Sequence, residues 1–204
     1  RDSVLPEFKT TLHVWPVAYA AGYPVYVFID PGTATYAIEF VQFVGDEVHV
    51  LNEVYVGQQP QEQVIQSTML RPEWKYVREG VIDVAGNQHH FGTGSPEEAW
   101  YRETGIRLRA QYHKVQHTVD RLRSVLSINP ITQRPRLLIN PQCKGLIAEL
   151  GGGRSPVEGN GLWRMGPGGV PTSKNDHACK DLGYGLLAHF GTARPYKQDL
   201  KDGE

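Results

Sequence analysis

Apolar residues follow two rhythms along the chain. Between residues 23 and 56 they come in short dense runs rich in β-branched and aromatic side chains. The first, Tyr23-Pro-Val-Tyr-Val-Phe-Ile-Asp30, stops at Asp30-Pro31-Gly32, and the next two, over 36–44 and 47–56, meet at Gly45-Asp46. Runs of this length bounded by turn residues predict three strands in an antiparallel meander, the first buried on both faces. From residue 60 the period lengthens to that of a helix. Val64, Ile65, Thr68 and Met69 share a face behind Pro60, and Ser95-Pro96-Glu97-Glu98 reads as a capping box with proline at the first helical position. Val115, Val119, Leu122, Val125 and Leu126 form an apolar stripe over 115–128, and Ala178, Leu182, Leu186 and Leu187 form another over 175–190. Short apolar runs at 80–84, 106–110 and 136–139 predict interleaved strands, and a helix over 142–150 ends at Gly151-Gly152-Gly153.

Three antiparallel strands followed by alternating strands and helices imply an α/β fold. The sheet is expected to be mixed and central, with helices on both faces, in the element order of a ribonuclease H-like (resolvase/integrase-type) domain. That domain is expected over residues 23–190. Residues 1–22 show little periodicity and read as a lead-in or linker, and 191–204 read as a flexible polar tail. Within the domain, 151–171 is glycine-rich around Leu162-Trp163-Arg164-Met165, the pattern of a hairpin or loop.

With 204 residues, 40% of them hydrophobic and 21% charged, the chain is sized for one globular core. No run approaches the roughly 18 to 20 apolar residues that span a bilayer, and no cationic segment precedes an apolar one near the start. Two cysteines, Cys143 and Cys179, fit a reducing cytosol better than a disulfide framework. A soluble intracellular domain without membrane association is therefore expected. The net charge of −1 conceals a split: residues 1–103 hold 14 acidic against 6 basic side chains (net −8), and 104–204 hold 8 against 15 (net +7). Such halves suit a polyanionic partner and a cation site on the acidic side, although folding can also simply intermix them.

Three aspartates stand out by position. Asp30 ends the first apolar run, Asp83 interrupts Val81-Ile82-Asp83-Val84, and Asp176 opens the last helix. Singly, Asp30 suits a turn and Asp176 a helix cap, but a charge inside a buried strand is costly unless something pairs it. Carboxylates converging from two central strands and a helix start can share divalent cations, and oxygen ligands favour Mg²⁺ or Mn²⁺. Two such ions about 3.5 to 4 Å apart activate water and stabilise the leaving oxygen in phosphodiester hydrolysis.

The runs Val27-Phe28-Ile29-Asp30-Pro31-Gly32 and Val81-Ile82-Asp83, with Lys174-Asn175-Asp176-His177-Ala178-Cys179-Lys180-Asp181-Leu182-Gly183-Tyr184, resemble the nuclease domain of tailed-bacteriophage large terminases over residues 25–188. The last segment is the most specific. The family ends with Asp-His or Asp-Asp, then alanine, then Asp-Ala-Leu-x-Tyr, a pattern from which Lys180 and Gly183 depart. The resemblance implies a metal-dependent endonuclease that cuts concatemeric double-stranded viral DNA at the start and end of packaging, in the cytoplasm of the host cell. It implies Asp30, Asp83 and Asp176 as catalytic carboxylates that bind Mg²⁺ or Mn²⁺ as a pair of ions. His177 and Asp181 are reserve ligands, and Glu53 either assists from behind them or pairs with a basic side chain.

The implied partners are the DNA, an ATPase domain of the same polypeptide, and the portal and small terminase of the packaging motor. No Gly-x-x-x-x-Gly-Lys-Ser/Thr loop occurs in this chain, which places that ATPase outside it. Phosphate contacts are expected from the basic half, at Arg121, Arg123, Lys144, Arg154, Arg164 and Lys174, the last nearest the aspartates. The alternatives are a Holliday-junction resolvase or transposase-like nuclease on the same fold, and a non-catalytic DNA- or portal-docking module.

Overall fold

The structure is a computed structural model that describes residues 2–83, 94–157 and 161–192. After a short α1 (Thr10–His13), the meander appears as β1 (Val25–Asp30), β2 (Tyr36–Val44) and β3 (Glu47–Val56). It is followed by α2 (Gln61–Met69), a 3-10 turn (Pro72–Tyr76), β4 (Val77–Asp83), α3 (Pro96–Thr104), β5 (Leu108–Gln111) and α4 (Val115–Leu126). Last come β6 (Leu137–Ile139), α5 (Lys144–Glu149) and α6 (His177–Phe190). The strands form one sheet in the order β5-β4-β1-β2-β3-β6. β1, β2 and β3 are antiparallel neighbours, while β4 runs parallel to β1, β5 to β4 and β6 to β3. The expected mixed sheet is found, with β4 beginning three residues earlier than its apolar run; Val84 lies outside the described residues.

Strand alternation sorts the core into two layers. Phe28, Ala37, Val41 and Val81 pack with α4, α5 and α6 on one face; Val27, Ile29, Ile38, Phe40 and Ile82 pack with α2 and α3 on the other. Asp30 and Asp83 continue the alternation of Phe28 and Val81, so both side chains turn to the α6 side. Helix α6 is seated very closely there. A Cβ on Gly185 would stand 2.2 Å from the Phe28 ring, and one on Gly183 would stand 2.3 Å from the Thr118 side chain of α4. Gly183, a departure from the terminase pattern, is thus what allows α4 and α6 to touch.

In β3 the pairing steps from Phe40↔Asn52 to Val41↔Val50, leaving Leu51 as an extra residue, a β-bulge. Before the bulge Val48 and Val50 belong to the α5/α6 layer. Beyond it the parity reverses, and Tyr55 packs on that layer while Val54 packs on the other.

The expected lead-in is instead part of the core. Val4, Leu5 and Phe8 are buried in the α4–α6 layer, each contributing about 1.5 to 3 kcal/mol of hydrophobic stabilisation. Backbone N–H groups of Val4 and Trp15 donate to the carbonyls of Trp163 and Ile139, and His13 Nε2 lies 2.8 Å from the Leu126 carbonyl. The segment crosses several elements rather than joining one, so its apolar residues carry no period. Within the glycine-rich stretch the chain turns back on itself at one isolated bridge. Met165 bridges Pro171, Gly168 and Gly169 make the tip with φ of 74° and 72°, and buried Trp163 anchors the base by donating from Nε1 to the Thr172 carbonyl. Residues 158–160 of that stretch and 193–204 of the expected tail lie outside the described residues.

Candidate active site

The last registered pair of the parallel β1 and β4 is Ile29↔Ile82, and each strand then ends on an aspartate. Asp30 and Asp83 are 2% and 1% exposed. The third carboxylate arrives with α6. Asn175 takes a left-handed φ of 57°, a conformation asparagine tolerates, and turns the chain into Asp176 at the helix N-cap. Asp176 makes no side-chain cap bond and is 6% exposed, so helix capping does not account for it. Asp30, Asp176, His177 and Lys180 line a cavity of about 280 Å³ together with the 31–35 loop. Lys180 links Asp83 to this mouth, its Nζ standing 3.5 Å from Asp83 Oδ2. A larger cavity, about 410 Å³, opens near Tyr26, Glu79 and Arg109 toward the other ends of the strands and contains none of these groups.

Each charge here is tuned by its neighbours. His177 Nδ1 lies 3.0 Å from Asp30 Oδ2, while Asp30 Oδ1 is buried with no hydrogen-bond partner. Burial works against a charge on His177, but the bond to Asp30 and the charges of Asp30, Glu149 and Asp176 outweigh it and raise its pKa. Burial likewise opposes the Lys180 ammonium, and Asp30, Asp176 and Asp83 overcome it and push its pKa up. Asp176 is raised, by burial first, against the pull of Lys180 and His177. A carboxylate-rich donor set with an orphaned, buried Asp30 oxygen fits a hard divalent cation. Among the described residues no three His, Cys, Asp or Glu side chains already form a cage.

Two further glutamates hold this arrangement in place. Glu53 neither meets a basic side chain nor reaches the aspartates. Its oxygens accept the N–H groups of Gly145 at 2.7 Å and Leu146 at 2.8 Å, gripping the start of α5. From α5, Glu149 in turn accepts the N–H groups of Ala178 and Cys179 and the Tyr55 hydroxyl at 2.8–3.0 Å, gripping the start of α6 beside Asp176. Glu149 was detectable in the sequence by the rule that picked out Asp83, a charge inside the apolar run Leu146-Ile147-Ala148-Glu149-Leu150. Asp181 turns away from the mouth, toward Glu39. Among the described residues no hydrogen-bond donor reaches any of their four oxygens. Burial first, then neighbouring carboxylates, raise both pKa values. Asp181 does not line the cavity of Asp30, Asp176 and His177.

The basic residues divide. Lys174, Lys144, Arg154 and Arg164 are exposed, Arg164 with an ion pair to Asp2 at 3.6 Å. Arg121 and Arg123 depart from the phosphate-binding expectation. The Arg121 guanidinium donates to the Gly191 carbonyl and lies over the Phe190 ring, tying down the end of α6. Arg123 donates to the Val4 carbonyl and pairs with Glu7 at 2.9 Å, tying down the N-terminal segment.

No known family profile and no curated protein sequence matches the chain. Solved structures do match it. The large terminase of a thermophilic bacteriophage superposes with a TM-score of 0.68 at 15% identity, over 92% of this chain and 45% of its own length. The chain therefore spans less than half of that protein. The nuclease domain of the P22 large terminase gives 0.69 at 14% identity, covering 93% of both chains. The large terminase nuclease domain of bacteriophage SPP1, solved with bound Mn, gives 0.58 at 11% identity, over 87% of this chain and 96% of its own. At these identities the likeness is one of fold: the six-stranded mixed sheet with its helices is the ribonuclease H-like arrangement of terminase nuclease domains.

Proposed function

We propose that this domain is a divalent-metal-dependent DNA endonuclease of a viral packaging terminase, cutting concatemeric duplex DNA when packaging starts and ends. The observation that carries the reading is that Asp30 and Asp176 line one cavity, that Lys180 of the same cavity reaches Asp83 on the neighbouring strand, and that Asp30 Oδ1 is buried with no hydrogen-bond partner among the described residues. The fold shared with the P22 and SPP1 nuclease domains, the latter with bound Mn, supports it. On this reading Asp30, Asp83 and Asp176 hold Mg²⁺ or Mn²⁺, and His177 orients Asp30 through Nδ1. When bound, a divalent ion supplies the Lewis acidity that activates water and stabilises the leaving oxygen. Lys174, Arg154, Arg164 and Lys144 hold backbone phosphates without reading bases. An ATPase domain of the same polypeptide, the portal and the small terminase are the partners in the motor, in the host cytoplasm.

The test is plasmid cleavage in EDTA, Mg²⁺, Mn²⁺ and Ca²⁺, run beside Asp83→Asn. Cleavage in Mg²⁺ or Mn²⁺ is expected to vanish in EDTA and in the variant, while DNA binding persists. Wild-type cutting by Asp83→Asn would remove the carboxylate assignment. DNA binding with no cleavage in any metal would favour a docking module.

A further inference from the structure

Lys180 brings a fixed cation into the carboxylate cluster from the first turn of α6. Its Nζ is 3.5 Å from Asp83 Oδ2, its side chain is only 30% exposed, and it lines the same cavity as Asp30, Asp176 and His177. Residue 180 lies four positions after Asp176 and three after His177, spacings that place all three on one helix face. Its backbone N–H donates to the Asp176 carbonyl, so the lysine is rooted in the turn that carries the ligand. Taking a lone ammonium out of water is costly unless carboxylates balance it. Here Asp30, Asp176 and Asp83 supply that balance.

We propose that Lys180 serves as a resident second cation and that the site accordingly holds one divalent ion, not two; this rests on the nuclease reading above. Three carboxylates and one ammonium sum to −2, or −1 when His177 beside Asp30 carries a proton, so a single divalent ion already offsets the cluster's negative charge. A second ion would make the cluster net positive beside an ammonium that cannot leave, where water screens charge poorly. Asp83 meets the lysine directly, and Asp30 and Asp176, which line the same cavity, would hold the ion. Lys180 acts through the carboxylates and is a charge-balancing residue.

Mn²⁺ titration of the whole chain, followed by electron paramagnetic resonance of the free ion, counts the sites directly. The wild type and Lys180→Arg are expected to bind one Mn²⁺ per chain, and Lys180→Met two. The dependence of cleavage rate on Mn²⁺ concentration should steepen from first order in the wild type toward second order in Lys180→Met. Thermal melting in EDTA shows whether each variant is folded; if Lys180→Met is not, the wild-type count and order decide. Two ions in the wild type with cleavage intact, or one ion in a folded Lys180→Met, overturns the proposal and leaves the nuclease reading standing. No bound ion together with no cleavage overturns both.

Discussion

Glu149 offers a quantitative check on how the site is held. It is 1% exposed and accepts two backbone N–H groups from α6 and the Tyr55 hydroxyl. Burial is the largest influence on its carboxyl and carries the pKa up to about 7 from an ordinary 4.5, against the pull of those bonds and of His177. The folded chain therefore holds this proton more tightly than the unfolded chain does. The resulting stabilisation is complete below pH 4.5 and is lost as pH rises through 7. At about 1.36 kcal/mol per pH unit it amounts to about 3.4 kcal/mol, of which about 2.5 kcal/mol disappears between pH 5 and pH 8. That is a large share of the roughly 5 to 15 kcal/mol typical of a folded domain. Glu149→Gln keeps the volume and has no proton to lose. Urea unfolding of both proteins at pH 5, 6, 7 and 8 cancels the titrations that Glu149 does not influence, and making the comparison in a His177→Gln background removes the one it does. The wild type should lose about 2.5 kcal/mol more than the variant over this range. Parallel pH profiles would refute the argument that burial governs this carboxyl.

Two further outcomes test the fold and the DNA path. Gly185→Ala drives a methyl group to 2.2 Å from the Phe28 ring, and an overpacked core of this kind loses about 1 to 3 kcal/mol or more; an unchanged melting temperature would mean that α6 is not seated on β1 as described. Replacing Arg154 and Arg164 together with alanine should weaken duplex binding and flatten the slope of log affinity against log salt by about 1.8, at roughly 0.9 per phosphate contact. An unaltered slope would take the hairpin out of the DNA path.

The sheet was legible because its strands obey local rules. Asp30-Pro31-Gly32 and Gly45-Asp46 punctuate the meander, and Ser95 and Glu98 form the expected reciprocal cap of α3. Asp30, Asp83 and Asp176 stand out because charge is costly inside or at the end of a buried run; the structure puts Asp30 and Asp176 on one cavity and joins Asp83 to it through Lys180. What escaped was nonlocal. The packing of Val4, Leu5 and Phe8 depends on helices more than a hundred residues away, and the tasks of Arg121 and Arg123 depend on chain ends that sequence spacing does not register. Lys180 was visible as a departure from a pattern, but only the approach of α6 to β4 reveals that its ammonium meets Asp83. Glu53 accepts backbone N–H groups rather than meeting a basic side chain, and such partners leave no signature in a sequence.

The extra residue in β3 acts like a frameshift within a strand. Were Leu51 absorbed into regular alternation instead of bulging out, everything after it would rotate by half a turn, so that Glu53 and Tyr55 would trade faces with Val54. The start of α5 would then lose its two carboxylate acceptors and Glu149 would lose the Tyr55 hydroxyl. The bulge in a strand that supplies no ligand thus sets the aim of the helix that supplies Asp176.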